Sequence, residues 1–160
     1  MAGSEKSGYG VARADLFQGA LVVVTPSGGS DPRAVKTVTA FWEHLGARVT
    51  ALEPDAHDVA VAAVSHLPHL VACALVDAVT REAPGALPIA ARGFRDTTRI
   101  AAGDPRMWQE IFIANRAPLA DALGAFRRAL DELEALVATG DPVAVEAALA
   151  RIKVAREAVA

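Results

Sequence analysis

Three Asp-Pro pairs constrain the fold of this chain more than any other feature, because each marks the start of a helix. The pairs are Asp31-Pro32, Asp104-Pro105 and Asp141-Pro142. In each, the carboxylate can accept hydrogen bonds from the free N–H groups of a first helical turn, and the fixed φ of proline suits that turn. The chain therefore contains at least three helices with defined starts. We expect them to end near Gly46, near Asn115 and at the C-terminus.

The segments on either side of the first of these helices have the pattern of strands. Residues 20–25 form a short, continuous apolar and β-branched run that stops at Pro26, and residues 47–52 alternate well enough for a second strand. Residues 20–53 are thus predicted to form a β-α-β unit with a parallel sheet covered on both faces. Two strands alone would leave apolar edges unpaired. We therefore expect a second copy or a further stretch of polypeptide to complete the sheet.

From Asp55 onward the whole pattern is helical. It predicts helices over residues 55–80, 95–102 and 117–139, with a loop at residues 83–88. The helix over 117–139 carries an apolar seam, which we call the a/d seam because its members alternate four and three residues apart: Leu119, Leu123, Phe126, Leu130, Leu133 and Val137. The spacing does not distinguish packing within one monomer from packing across a dimer axis.

The expected fold is mainly α. A remnant β-α-β unit of a Rossmann-type sheet (residues 1–54) precedes an all-helical domain (residues 55–160).

Composition limits the classes of partner and the compartment. A net charge of −3 gives no basic face, so we expect no nucleic-acid partner. The single cysteine, Cys73, has Ala and Leu neighbours and is typical of a buried thiol in a reducing compartment. The N-terminus lacks the pattern of a signal peptide. We therefore expect a cytoplasmic protein.

The predicted helix over 55–80 holds three of the four histidines: His57, His66 and His69. Pro68 lacks a backbone N–H and must disrupt the helical ladder there, leaving the Val64 carbonyl free. Polar groups in so apolar a helix are costly unless they are paired or bind a ligand, so the segment is a candidate functional site. Its polar residues also argue against a membrane span over residues 59–78.

Helical spacing at 100° per residue places Asp58, Ser65 and His69 on one polar stripe of this helix, and Ser65 within hydrogen-bonding reach of the His69 imidazole. A simpler interpretation is that His57 and Asp58 cap the helix while the other histidines are satisfied core residues. A zinc or iron site of His66 and His69 with Asp58 is a rival hypothesis, but the three diverge in direction. We therefore predict no metal ligands.

A second candidate cluster is Gly93-Phe94-Arg95-Asp96-Thr97-Thr98-Arg99. Asp96 is expected to cap the helix that follows. Arg95 and Arg99 then lie one turn apart, where they are either solvated or form a clamp for a carboxylate or phosphate. Trp108 is expected one turn into the helix that Asp104 caps. A tryptophan in such a position is more often a core residue than a ligand contact. The Gly28-Gly29 turn lacks the spacing of a phosphate-binding loop.

Several of these motifs, in order, resemble the prephenate/arogenate dehydrogenases of tyrosine biosynthesis. They are His57-Asp58, Ser65-His66-Leu67-Pro68-His69, the Gly93–Arg99 cluster, Asp104-Pro105 with Met107-Trp108, and Asn115. The start, Met1 to Gly8, is similar to the end of that family's His-Pro-Met-Ala-Gly-x-Glu-x-Ser-Gly motif. The resemblance covers essentially the whole chain.

The resemblance implies an NAD- or NADP-dependent oxidative decarboxylation of a dicarboxylate, prephenate or arogenate, by a homodimer joined through its C-terminal helices. Arg99 would bind a substrate carboxylate, and the other residues that would line or brace the site are His57, Ser65, His69 and Trp108, supported by Asp58, His66, Arg95 and Asp96. Gly3 and Ser4 would contact the cofactor.

The family's catalytic histidine would lie just before Met1, so no catalytic residue is assigned to this chain. The glycine-rich dinucleotide fingerprint is absent from its sequence as well. The chain alone is therefore expected to be catalytically incompetent. The alternative is a non-enzymatic helical module that dimerises and binds carboxylates.

Overall fold

The computed structural model describes residues 8–159, and its N-terminal part contains the predicted β-α-β unit. Strand β1 (Leu21–Val24), helix α1 (Pro32–His44) and strand β2 (Arg48–Ala51) follow one another along the chain. The two strands pair in parallel, with Leu21 opposite Arg48. The predicted unit is confirmed.

After β2 the described chain is mostly helical, and a mainly α fold is confirmed, with 74% of the described residues in α-, 3-10 or π-helix. The helices after β2 are α2 (Pro54–Val61), α3 (Leu67–Glu82), α4 (Arg92–Thr98), α5 (Pro105–Ala114), α6 (Arg116–Thr139) and α7 (Pro142–Glu157). A π turn (Ala62–His66) joins α2 to α3, and short 3-10 turns cover Tyr9–Val11, Pro84–Ile89 and Arg99–Ala102.

All three Asp-Pro pairs begin helices in the predicted way. The carboxylate of Asp31 accepts from the backbone N–H of Arg33 at 2.8 Å, and that of Asp104 accepts from Met107 at 2.8 Å. Asp141 accepts from Val143 at 2.9 Å. Each cap satisfies N–H groups that the first helical turn leaves free, a contribution of about 1 kcal/mol per cap.

The two-stranded sheet is only partly covered within the described residues. No residue of either strand is fully buried, and Leu21 at the start of β1 is 57% exposed. Trp42 of α1 packs edge to face against Phe17, with ring centroids 5.0 Å apart, and Ala47 after the helix is buried. This exposure differs from the predicted covering of both faces.

The π turn confirms the predicted break in the helical ladder. Pro68 has no N–H to give to the carbonyl of Val64, and the N–H of Leu67 bonds one residue further back than in an α-helix, to the carbonyl of Ala62. The combined stretch Pro54–Glu82 is long and apolar enough to cross a membrane by length and composition alone. The core helix of a soluble protein passes the same test of length and composition.

Contacts divide the chain into two compact units, one ending at Leu119 and one from Ala120 to the C-terminus. In the first unit, Ala62, Ala72 and Leu119 are buried. In the second unit, Ala148 of α7 is buried, and Gly140 between α6 and α7 has a φ of +68°, the left-handed conformation that ends a helix. This division does not test the predicted domain boundary after residue 54, which stays a prediction.

Three local predictions need correction. Asp96 does not cap a following helix, because it lies inside α4 and the next turn has no side-chain cap. The stretch predicted as one helix over residues 95–102 is α4 followed by a 3-10 turn, and the predicted loop at 83–88 is largely 3-10 helix.

Candidate functional site

The most distinctive candidate site is a cavity of about 330 Å³ beside His69, which we call the His69 cavity. Helix α3 supplies one wall, helix α5 supplies another, and the segment that precedes α5 closes one side. Its lining is largely apolar and comprises His69, Cys73, Ala101, Gly103, Pro105, Trp108, Gln109, Phe112 and Ile113. Concave, mainly apolar spaces with few polar groups are typical of small-molecule sites.

Aromatic rings form the centre of this lining. The imidazole of His69 stacks on the indole of Trp108, with centroids 3.5 Å apart and planes 12° from parallel. Phe112, one turn after Trp108 on α5, lies 5.9 Å from the His69 ring and 5.6 Å from the Trp108 ring. The i,i+4 spacing of Trp108 and Phe112 puts both rings on one face of α5. The cavity thus presents flat surfaces suited to another ring.

The His69 imidazole is buried with one nitrogen unpaired. The residue is only 3% exposed, and its Nδ1 has no hydrogen-bond partner within the described chain. Burial lowers the pKa of His69, so the ring is neutral near pH 7. Leaving such an atom unpaired costs about 1–3 kcal/mol. An unpaired ring nitrogen next to a cavity makes His69 a candidate for a polar contact with a ligand.

Asp58 does not belong to the predicted polar stripe with Ser65 and His69, and the π turn is the reason. One extra residue in the turn rotates everything before it by about 100° relative to α3. Asp58 is exposed and pairs with His57, whose Nδ1 lies 3.0 Å from the Asp58 Oδ1. No hydrogen bond joins Ser65 to His69 in the described residues.

Asn115, at the C-terminal end of α5, connects this helix to the π turn. Its Nδ2 donates to the backbone carbonyl of Asp58 at 2.8 Å and lies 3.2 Å from the Nδ1 of His66. The rings of His66 and Trp108 stand edge to face with centroids 6.5 Å apart. Burial, the largest influence, lowers the pKa of His66, and the Asp58 carboxylate opposes this change.

The two predicted clamp residues lie near the cavity without lining it. Helix α4 and the turn Arg99–Ala102 pack against α3. Arg95 and Arg99 are both exposed, and the described residues contain no ion pair or side-chain hydrogen bond of either. Their guanidinium groups therefore have donors available for an anion.

Gly103 is required where it stands because of packing. A Cβ built at this position would lie 2.5 Å from the Nε1 of Trp108 and 3.1 Å from the Cε1 of His69. The φ of Gly103 is −64°, which any residue can adopt. The lack of a side chain at Gly103, rather than its backbone conformation, therefore leaves room for the rings of Trp108 and His69.

Comparison with known proteins identifies the family. Residues 53–151 match the model of the prephenate dehydrogenase dimerization domain, and residues 1–51 match that of the prephenate dehydrogenase nucleotide-binding domain. The chain belongs to the prephenate dehydrogenase family. The resemblance recognised from the motifs is confirmed.

Individual relatives of the family agree. The chain is 35% identical over 145 residues to a cyclohexadienyl dehydrogenase of Zymomonas mobilis, covering 88% of this chain and 50% of that protein. It superposes with a TM-score of 0.91 and 35% identity on prephenate dehydrogenase from A. aeolicus in complex with hydroxyphenyl propionate and NAD+, covering 100% of this chain and 57% of that one. Superposition on Synechocystis arogenate dehydrogenase gives a TM-score of 0.85 with 32% identity, covering 98% of this chain and 58% of that one. The chain thus spans about half the length of these relatives.

Of the site residues predicted from the sequence, the structure brings His69 and Trp108 together in the cavity and leaves the other described ones outside its lining: His57, Asp58, Ser65, His66, Arg95, Asp96 and Arg99. Gly3 and Ser4 lie outside the described residues. Cys73, expected to be buried, is half-buried and lines the cavity. Sequence reasoning missed Gly103 and Phe112. The one-turn spacing of Phe112 from Trp108 was the available signal for the latter.

The described residues provide neither a pyrophosphate-binding turn nor a metal site. The β1–α1 turn does not fit a dinucleotide pyrophosphate, because the carboxylate of Asp31 already accepts from the backbone N–H of Arg33 in the first turn of α1 and would repel a phosphate there. Between residues 8 and 159, no group of three or more His, Cys, Asp or Glu side chains is arranged to hold a metal ion.

Proposed function

We propose that this chain is the substrate-binding and dimerising portion of a prephenate or arogenate dehydrogenase, in which the His69 cavity receives the ring of a dicarboxylate substrate. The observation that carries the proposal is the unpaired Nδ1 of buried His69 beside an aromatic-lined cavity. The A. aeolicus relative, which has the same fold over the whole of this chain, is complexed with hydroxyphenyl propionate. That ligand combines a ring with a carboxylate.

Arg99 is proposed to bind a carboxylate of this ligand. Its turn packs against α3, the helix that carries His69. Guanidinium binds carboxylate through two parallel N–H···O bonds, whereas lysine offers only a point charge. Arg99 need only swing its long side chain toward the cavity, which Ala101 and Gly103 of the same segment line. His57, Ser65, Arg95 and Asp96 are proposed to brace this arrangement.

Calorimetric titration with hydroxyphenyl propionate tests the proposal. The 160-residue chain should bind it saturably, and Arg99→Ala should weaken binding by about 10- to 100-fold, the value of one charge-assisted contact. Arg99→Lys should recover only part of the loss. Arg106→Ala is the matched control, since Arg106 is an exposed arginine near Glu110 outside the cavity lining. Absence of binding by the parent chain would overturn the proposal.

The reaction proposed for the enzyme is the NAD- or NADP-dependent oxidative decarboxylation of prephenate or arogenate. The match of residues 1–51 to a nucleotide-binding domain supports a nicotinamide cofactor. The described residues provide no fitting pyrophosphate turn, so we propose that the 160-residue chain binds ligand without turning it over. An absorbance assay for reduced cofactor should stay at baseline with prephenate and with arogenate. Robust turnover would refute this part and favour a complete enzyme.

A homodimer is proposed from the a/d seam of α6. Leu130 and Val137, both on the seam, are 52% and 66% exposed. Apolar positions left open on a regular seam are stabilised by a partner helix. The match of residues 53–151 to a dimerization domain supports a second copy as that partner.

We further propose that the protein is cytoplasmic, without nucleic-acid or membrane partners. His66, Pro68, His69 and Asp77 lie within the apolar stretch Pro54–Glu82, where charged and polar groups oppose membrane insertion. Flotation with phosphatidylcholine vesicles should leave the chain in the protein fraction.

A further inference from the structure

The contact between Asn115 and His66 defines a proton position that the substrate proposal does not use. Asn115 is 7% exposed, so its amide cannot exchange protein partners freely for water. One atom of this amide, Nδ2, faces two groups: the backbone carbonyl oxygen of Asp58 at 2.8 Å and the Nδ1 of His66 at 3.2 Å.

The Asp58 carbonyl fixes which way the amide points. A backbone carbonyl oxygen can only accept hydrogen bonds, so the atom 2.8 Å away must be the nitrogen that donates. The reversed amide would place two oxygens against each other in a buried position, which is unfavourable. The Nδ2 therefore has one N–H directed to Asp58 and a second available for His66.

The orientation of the amide in turn restricts His66. An N–H from Asn115 can be accepted at Nδ1 only when that nitrogen has no proton. We propose that Asn115 is a positioning residue that holds His66 as the neutral tautomer protonated on Nε2, and that this contact ties the π turn to the end of α5. A proton on Nδ1 would set two donors against each other.

The contact between Asn115 and His66 connects the two helices that form the walls of the His69 cavity. His66 ends the π turn and lies one turn before His69, whereas Asn115 directly follows the helix that carries Trp108. The edge-to-face packing of His66 and Trp108 completes the connection. The charges that act on His66 are those of Asp58, which favours a protonated ring, and His57, which disfavours it. Burial lowers the pKa of His66 and supports the neutral ring.

Histidine-selective long-range ¹H–¹⁵N NMR on the 160-residue chain tests the proposal directly. The His66 signals are assigned by their disappearance in His66→Gln. At pH 7.5 the expected spectrum has a protonated Nε2 and an unprotonated Nδ1. A protonated Nδ1 in the parent chain would overturn the proposal, whatever the behaviour of any variant.

Substitution of Asn115 provides a second readout that a purely structural role would not move. Asn115→Asp replaces the donor with a carboxylate, so His66 should become protonated on Nδ1 and titrate at higher pH. Asn115→Ala should give a tautomer mixture. Gln18→Glu makes the same amide-to-carboxylate change at an exposed position and should leave His66 unchanged. An unchanged His66 tautomer and titration in folded Asn115→Asp would contradict the proposal.

Discussion

The imidazole of His69 lies flat on the indole of Trp108, with centroids 3.5 Å apart and planes 12° from parallel. The two residues come from α3 and α5, which are separated in sequence by the arginine-bearing segment. Both rings line the His69 cavity, and the Nδ1 of His69 is buried without a hydrogen-bond partner in the described residues. Stability and the proposed ligand binding thus depend on the same pair of rings.

Removing the indole should destabilise the chain. For Trp108→Ala we expect the free energy of unfolding to fall by about 3 kcal/mol, the lower end for large aromatic truncations because Trp108 is only half-buried. Urea unfolding followed by circular dichroism measures it. Met107→Ala, one residue earlier and exposed, is the matched control and should change stability by under about 0.5 kcal/mol. Equal effects of the two substitutions would contradict the packing role of Trp108.

A methyl group at position 103 should separate the stacked rings. Gly103→Ala places a Cβ against the Trp108 indole, and overpacking of this kind costs about 1–3 kcal/mol. Gly93→Ala is the control, since a Cβ there meets nothing within 4 Å and lies in α4. It should be neutral or stabilise the helix by up to about 1 kcal/mol. In a Trp108→Ala background Gly103→Ala should cost much less, and full additivity in this double-mutant cycle would refute the contact.

Stability should decrease in mild acid through His66 and His69. Burial lowers the pKa of both rings below the ordinary value of 6.5. Near and below pH 6.5 the unfolded chain therefore binds more protons than the folded chain. The free energy of unfolding is then at its full value above pH 6.5, decreases as the pH falls below it, and levels off below the folded pKa values. Urea unfolding at pH 7.5 and at pH 5.5 measures the difference.

The control for this pH dependence is His44, which is exposed on α1. His44→Gln should leave the loss of stability unchanged, whereas His69→Gln should reduce it. A pH dependence that persisted in full in a chain lacking both His66 and His69 would assign it to other groups.

Charge placed on the open part of the a/d seam should separate the proposed dimer. Leu130→Glu with Val137→Glu should convert a dimer into a monomer in sedimentation velocity, because each carboxylate would face its copy across the axis. Ala135→Glu, on the opposite face of α6, should remain dimeric. A parent chain that sediments as a monomer at high micromolar concentration would contradict the homodimer.

The sequence was sufficient for the elements whose cause is local. Asp31, Asp104 and Asp141 each cap the expected helix, because a cap depends only on neighbouring N–H groups. The break at Pro68 was equally local, but its form as a π turn was not foreseen, and the extra residue invalidated the predicted stripe from Asp58 to His69.

The site depended on contacts that local patterns do not encode. The stack of His69 on Trp108 and the bond from Asn115 to Asp58 join segments 39 and 57 residues apart. Gly103 illustrates the same limit, since only the positions of two rings from other helices show why a side chain is excluded there.

The most direct test of the proposed site is the response of the His69 ring to a bound ligand. Histidine ¹H–¹⁵N spectra of the 160-residue chain should be recorded without and with saturating hydroxyphenyl propionate. We predict that the His69 nitrogens shift on saturation while those of exposed His44 do not, and that Arg99→Ala suppresses the shift at the same ligand concentration. Saturable binding that leaves the His69 nitrogens unmoved would contradict the placement of the substrate ring in the His69 cavity.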